Sequence, residues 1–269
     1  MTRRREMRKL LPVIVLALVG VACGGGQSAL NQERLEEMAA LEELKTALDG
    51  KRGELVGARD QLETAEEAAT MGADTAEGEE GGDMAVDPGA LGATVEQLEK
   101  EVTQMTDDLG MKIVDYINSA GLDQGEELPE DVKSVIQMKS AEDIVIADEY
   151  ITRGGDYRRA LEIFTQALIL DPDNADLLAG KVAAETDQYM TEDRFAQADK
   201  GMTERTVRQL LGAVNPRNIR DYPERDVIAW FYRKEDGGAA AVYFQKNKTS
   251  GMYESYKVDF TAVESEDGP

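Results

Sequence analysis

The chain has 269 residues and a net charge of −24, with 54 acidic side chains against 30 basic ones, no histidine and one cysteine. A surface this acidic repels phosphate backbones and anionic headgroups, so nucleic acid and bare lipid surfaces are set aside as direct partners. Without histidine there is no Ser-His-Asp or Cys-His set, and one cysteine leaves neither an internal disulfide nor a zinc cluster. No glycine-rich phosphate loop precedes a helix, and acidic pairs are too many to single one out. No catalytic, cofactor-binding or metal-ligating residue is therefore expected, and the length suits one or two domains.

Residues 1–22 begin with a basic stretch (Arg3, Arg4, Arg5, Arg8, Lys9) and continue into an apolar run from Leu10 to Ala22. The run is too short to span a bilayer as a stable helix and ends on small residues. Cys23 follows, then Gly24-Gly25-Gly26-Gln27-Ser28, a composition that makes 23–28 a flexible tether. Val21, Ala22 and Cys23 resemble the end of a bacterial lipoprotein signal; the alternative is an ordinary secretion signal with a stray cysteine. By that resemblance, the Cys23 thiol receives a diacylglyceryl group, and cleavage before it frees an amine for further acylation. Two or more chains anchor a protein stably where one is marginal. The resemblance implies an extracytoplasmic protein. Gly24, in place of an inner-membrane-retaining aspartate, implies the periplasmic side of an outer membrane, where the organism has one.

Residues 29–69 read as a long acidic helix, with Leu41, Leu48, Leu55 and Leu62 seven apart. Gly50, Gly53 and Gly57 weaken its middle, and Leu35 and Met38 fall out of step. Residues 70–90 carry six acids, no base and almost nothing large and apolar, which predicts a disordered linker. A second seam over 91–118 uses Leu91, Val95, Leu98, Val102, Met105, Leu109 and Tyr116. The two helices can fold back on each other or pair between copies, so a homo-oligomer through this stalk is one expected partner state.

Residues 119–140 hold a break at Ser119-Ala120-Gly121, an acidic turn at Asp123–Glu130 and a short helix through Val132, Val135, Ile136 and Met138. That helix is expected to pack on the next one. In 141–174, Ile144, Ala147 and Ile151 lie at helical spacing, and Gly154-Gly155-Asp156 stops the helix. A second helix carries Tyr157, Ala160, Leu161, Phe164, Ala167 and Leu168 on one stripe, and Asp171-Pro172-Asp173-Asn174 ends it. Gly155, Asp156, Tyr157, Ala160, Phe164, Ala167, Asp171 and Pro172 resemble one tetratricopeptide repeat (TPR) in register. The resemblance implies a partner-binding groove lined by Glu142, Val145, Glu149 and Thr152 of the first helix. An acidic groove suits a basic or polar segment; the alternative is a solvated helix face. The acids of Asp171–Asp176 lack a calcium loop's glycine and distal glutamate, and an inter-repeat turn accounts for them.

Residues 175–213 read as a degenerate second repeat, with Leu177, Leu178, Val182 and Ala183 on one helix. A second helix opens at Phe195, Ala196, Ala198 and Met202 and runs on through Val207, Leu210 and Leu211. Within 214–263 the period changes to two. Strands are expected at Asp226–Lys234, Ala239–Lys246 and Met252–Val263, with 264–269 a tail. In the last strand Met252, Tyr256, Val258, Phe260 and Ala262 share the apolar face, and that face is expected to pack on the last helices. Trp230, Phe231 and Phe244 are expected in the core. The fold class is thus mainly α: a coiled-coil-like stalk or hairpin, TPR-like hairpins in 119–213, and a small three-stranded antiparallel β-meander.

These readings converge on a non-enzymatic, lipid-anchored envelope adaptor that holds one or more envelope proteins. Two alternatives stand beside it. One is an envelope enzyme or small-ligand binder, with a pocket joining Arg217, Arg220 and Trp230. The other is a purely structural coiled-coil spacer.

Overall fold

The computed structural model describes residues 27–72, 87–121 and 128–264. The signal sequence, Cys23 and its glycines, most of the acidic linker, much of the acidic turn and the tail after Glu264 lie outside the described residues. Helices come first: α1 (Gln27–Gly72), α2 (Pro88–Ser119), α3 (Glu130–Gly154), α4 (Tyr157–Leu170), α5 (Ala175–Asp187), α6 (Glu192–Phe195) and α7 (Glu204–Leu211). Strands β1 (Ile219–Tyr222), β2 (Val227–Arg233), β3 (Ala239–Lys246) and β4 (Tyr253–Val263) follow. They form one antiparallel sheet in the order β1-β2-β3-β4. The mainly helical chain with a small C-terminal sheet is as the patterning implies; the sheet gains a short fourth strand, β1.

Several boundaries move for local reasons. Gln27 and Ser28, expected in the tether, open α1, because no glycine or proline follows Gly26 until Gly50. Helix α2 starts at Pro88, whose fixed φ suits a first helical position, and Asp87 Oδ1 accepts from Gly89 N at 2.9 Å. The short helix expected to pack on the first repeat helix is instead its N-terminal half. Lys139-Ser140-Ala141 contains no breaker, so α3 runs on for 25 residues.

The chain divides into two compact units. One comprises residues up to Gly57 with Thr94–Lys139; the other comprises Ala58–Ala93 with the residues from Ser140 onward. In the first, α1 and α2 run antiparallel. Arg34 lies over Tyr116 at 5.7 Å, Arg52 donates to Thr106 and Lys51 pairs with Glu101 at 3.2 Å, so numbering rises along one helix as it falls along the other. Leu41, Leu48 and Leu55 are buried, as are Val95, Val102, Leu109 and Tyr116, while Leu35 is exposed. The heptad seam is filled within one chain. Ile113, absent from the seam read in the sequence, is also fully buried. Val132, Val135 and Ile136 of α3 complete this core. There Asp131 accepts from the Tyr116 hydroxyl (2.6 Å) and pairs with Arg34 (2.5 Å).

In the second unit α3 ends on Gly155, at φ +55, with Gly155 N bonded to Ile151 O and Asp156 N to Tyr150 O. This paired pattern closes a helix through a left-handed residue. Asp156 then caps α4 by accepting from Arg159 N. Asn174 caps α5, and Asp171 accepts from Ser140 and Asn174, so the acidic run is a hydrogen-bonded turn. Phe164, Ala160, Ala167 and Ala147 pack with Leu177 and Ala184, and a Cβ on Gly180 would sit 2.7 Å from the Phe164 ring. Helices α3, α4 and α5 therefore share one small core.

The second core lies between α6, α7 and the sheet. Phe195, Val207 and Leu211 pack on Trp230, Tyr232, Val242 and Phe244. The apolar sheet face thus meets the last helices, as the alternation implies. Two details differ. The helix expected from Phe195 to Leu211 is broken, because Gly201 N and Met202 N bond Ser255 of β4 and Thr203 bridges Glu254. Strand β4 also carries a bulge. Lys257 pairs with Tyr243 but Ser255 with Phe244, so Tyr256 is skipped. Ser255 is consequently buried and Tyr256 exposed, the reverse of a strict alternation. Phe231 lies on the face opposite Trp230, half-buried, against Tyr243.

Candidate functional site

Helix α3 positions the four groove residues differently from an open surface. Glu142 is buried, at 5% exposure; Val145 and Glu149 are half-buried; only Thr152 is exposed. The cause is visible within the same unit. Arg59 of α1 approaches Glu149 at 3.9 Å, Arg153 lies 3.8 Å from the same carboxylate, and Arg205 of α7 reaches Glu63 and Glu67 of α1. The last turns of α1 thus lie against α3 and α7. The chain's own helix takes part of the surface that the repeat resemblance offers to a partner. Partial desolvation of its carboxyl raises the pKa of Asp148 on the same helix, although the residue as a whole is exposed.

Residues 203–234 carry seven basic side chains against four acidic ones, and four of the basic ones are engaged within the chain. Arg205 pairs with α1, Arg208 lies over Trp230 at 5.7 Å, and Arg233 lies over Tyr189 at 5.2 Å. Lys234 binds Asp236 and lies over Phe260. Trp230 is buried against Phe244, with centroids 4.8 Å apart. Arg217 and Arg220 are exposed, and Arg220 donates to the Arg217 carbonyl. The three residues do not share one environment: Trp230 lies in the packed core between helices and sheet, while Arg217 and Arg220 lie on the surface. Behind it, Arg194 Nη2 donates to Leu211 O at 2.6 Å and Nη1 to Asp187 O, tying the end of α7 to the end of α5. Cation and helix C-terminus suit each other electrostatically.

An uncovered apolar surface on α5 is legible in the sequence only in pieces. Helix α5 is apolar on two sides. Leu177 and Ala184 face the core, while Leu178 and Val182, one turn apart, are 45% and 61% exposed. Ile169, near the end of α4, is 81% exposed. The sequence reading puts Leu177, Leu178, Val182 and Ala183 on one helix and assigns no face. It missed that α6 and α7 turn to the sheet, leaving half of α5 uncovered. The usable signal was the composition of ADLLAGKVAAETD, whose apolar residues run most of the way round.

Among the described residues no helix is long and apolar enough to cross a membrane, and no group of three or more acids and cysteines is disposed to hold a metal ion. Comparison of the chain with protein-family models, curated proteins and solved structures gives no significant match.

Proposed function

We propose that this chain is a lipid-anchored adaptor of a bacterial envelope, without catalytic activity, that holds a partner protein through its helical second unit. The observation carrying the reading is the N-terminal sequence. A basic start and a short apolar run end at the lone Cys23, and a 46-residue helix begins only four residues later, at Gln27. A lipid on that thiol would pass almost directly into a helix about 69 Å long at 1.5 Å per residue. The TPR-like character of α3 and α4 is part of the same proposal. It is supported by the Gly155–Asp156 stop and by the Ala147, Ala160 and Phe164 packing. The placement on the periplasmic side of an outer membrane, where the organism has one, belongs to the same proposal and rests on Gly24 after Cys23.

Metabolic labelling with palmitate tests the anchor. The wild-type chain takes up label and fractionates with membranes; Cys23→Ser loses the label and leaves that fraction. Unlabelled wild-type protein would end the anchoring part of the proposal. Crosslinking in native envelopes tests the adaptor part, which fails when no protein is captured.

A further inference from the structure

Helix α5 exposes Ala175, Ala179, Val182 and Thr186, spaced by four, three and four, with Leu178 one turn before Val182 on the same side. That spacing is the seam of a helix that packs on another helix. Among the described residues α6 and α7 do not supply the second helix, since their Phe195 and Val207 are spent on the sheet. The alanines also let a neighbouring backbone come close.

The margins say what would fit. Asp176 and Asp187 border the stripe on one side. Glu185 borders it on the other, bonded to Lys181. We infer that this face docks an amphipathic helix of another protein, with an apolar stripe and basic flanks. The inference rests on the adaptor reading and names its docking surface and partner class. Of the chain's own segments outside the described residues, 73–86, 122–127 and 265–269 carry acids and no base and 1–22 are removed under the proposed processing, while a second copy would bring the same acids to the seam, so none of these is the occupant.

The test is titration of a fluorescent Leu/Ala/Lys amphipathic helical peptide into the chain from Gly24 onward, at physiological ionic strength. Val182→Asp discriminates because it damages the apolar seam while adding negative charge. The expected result is binding that falls about tenfold or more in Val182→Asp and in Leu178→Asp, with thermal melts unchanged. A Glu-for-Lys peptide should not bind. The inference is overturned if Val182→Asp binds equally or more tightly, since attraction would then be charge alone. It is also overturned if the wild type fails to bind, or if the free protein is a dimer that Val182→Asp dissociates. Envelope crosslinking separates this failure from that of the adaptor reading. A partner captured equally by wild type and Val182→Asp overturns only the docking face; no partner with either overturns both.

Discussion

The helical hairpin of α1 and α2 and the sheet-bearing end of the chain are both stable forms of burial, but one is a seam and the other a volume. The hairpin buries about one large residue per heptad of each helix, with polar contacts such as Lys51–Glu101 alongside. The helix-on-sheet core surrounds Phe244, Val242 and Leu211 on all sides. A seam lets neighbours relax into a gap; a closed core does not.

The largest expected effect follows from that difference. Phe244→Ala should cost about 3–5 kcal/mol, and Leu48→Ala, with the same near-zero exposure, about 2–3 kcal/mol. Local stabilities from hydrogen exchange check this. Equal losses would mean the hairpin is as rigidly packed as the sheet. A sharper contrast uses one substitution with opposite signs. At Gly155 φ is +55 and an added Cβ would lie 2.5 Å from the Ala213 carbonyl oxygen, so Gly155→Ala should destabilise by about 1–3 kcal/mol. At Gly53 nothing lies within 4 Å, so Gly53→Ala should stabilise α1 by about 0.5–1 kcal/mol.

Acid should also act in opposite directions. Burial pushes Asp131 up, but its bond from Tyr116 and the charge of Arg34 outweigh that and leave its pKa lowered. Its contribution is therefore present above the ordinary value of 3.8 and lost as pH falls through the lowered native value. Glu204 is raised by burial, which outweighs Arg208. Its charged form costs stability above the ordinary 4.5, and that cost is relieved as pH falls through the raised native value. Exchange protection on acidification should fall around Tyr116 and rise at α7. Asp131→Asn and Glu204→Gln should each flatten one slope. The smallest effect is expected for Arg205→Ala, about 0–1 kcal/mol, because its pairs with Glu63 and Glu67 are partly solvated.

Local rules were readable and distant contacts were not. The Gly155 and Asn174 punctuation, the leucine heptads and the limits of β3 are all written within a few neighbouring residues. So was the burial of Trp230 and Phe244, because alternation with β-branched and aromatic residues specifies one face. Three features depend on residues far apart in sequence: the interruption of the last helix at Gly201 by Ser255, the approach of Arg59 to Glu149, and the pairing of β1 with β2. The groove residues follow the same logic. The repeat resemblance implies Glu142 and Glu149 as groove residues, but nothing near them in sequence announces that α1 lies against this helix. The continuity of α3 is the reverse case: the repeat resemblance begins at Ala141, but no breaker separates it from Val132–Met138, and Ser140 is held inside by Asp171.

Tyr256 acts as a single dropped stitch. The residues on either side of it already occupy consecutive places on the ladder, Ser255 opposite Phe244 and Lys257 opposite Tyr243. Excising Tyr256 would therefore leave each half of β4 facing as it does now, whereas excising Val258 would turn the strand over on one side of the cut. A chain lacking Tyr256 should still fold with Ser255 inside, readable from its retained bond to Met202 N. A chain lacking Val258 should not. Tyr256 is thus a position where the length of the strand is free to change, and sequence drift by insertion or deletion should be tolerated there more readily than at Val258.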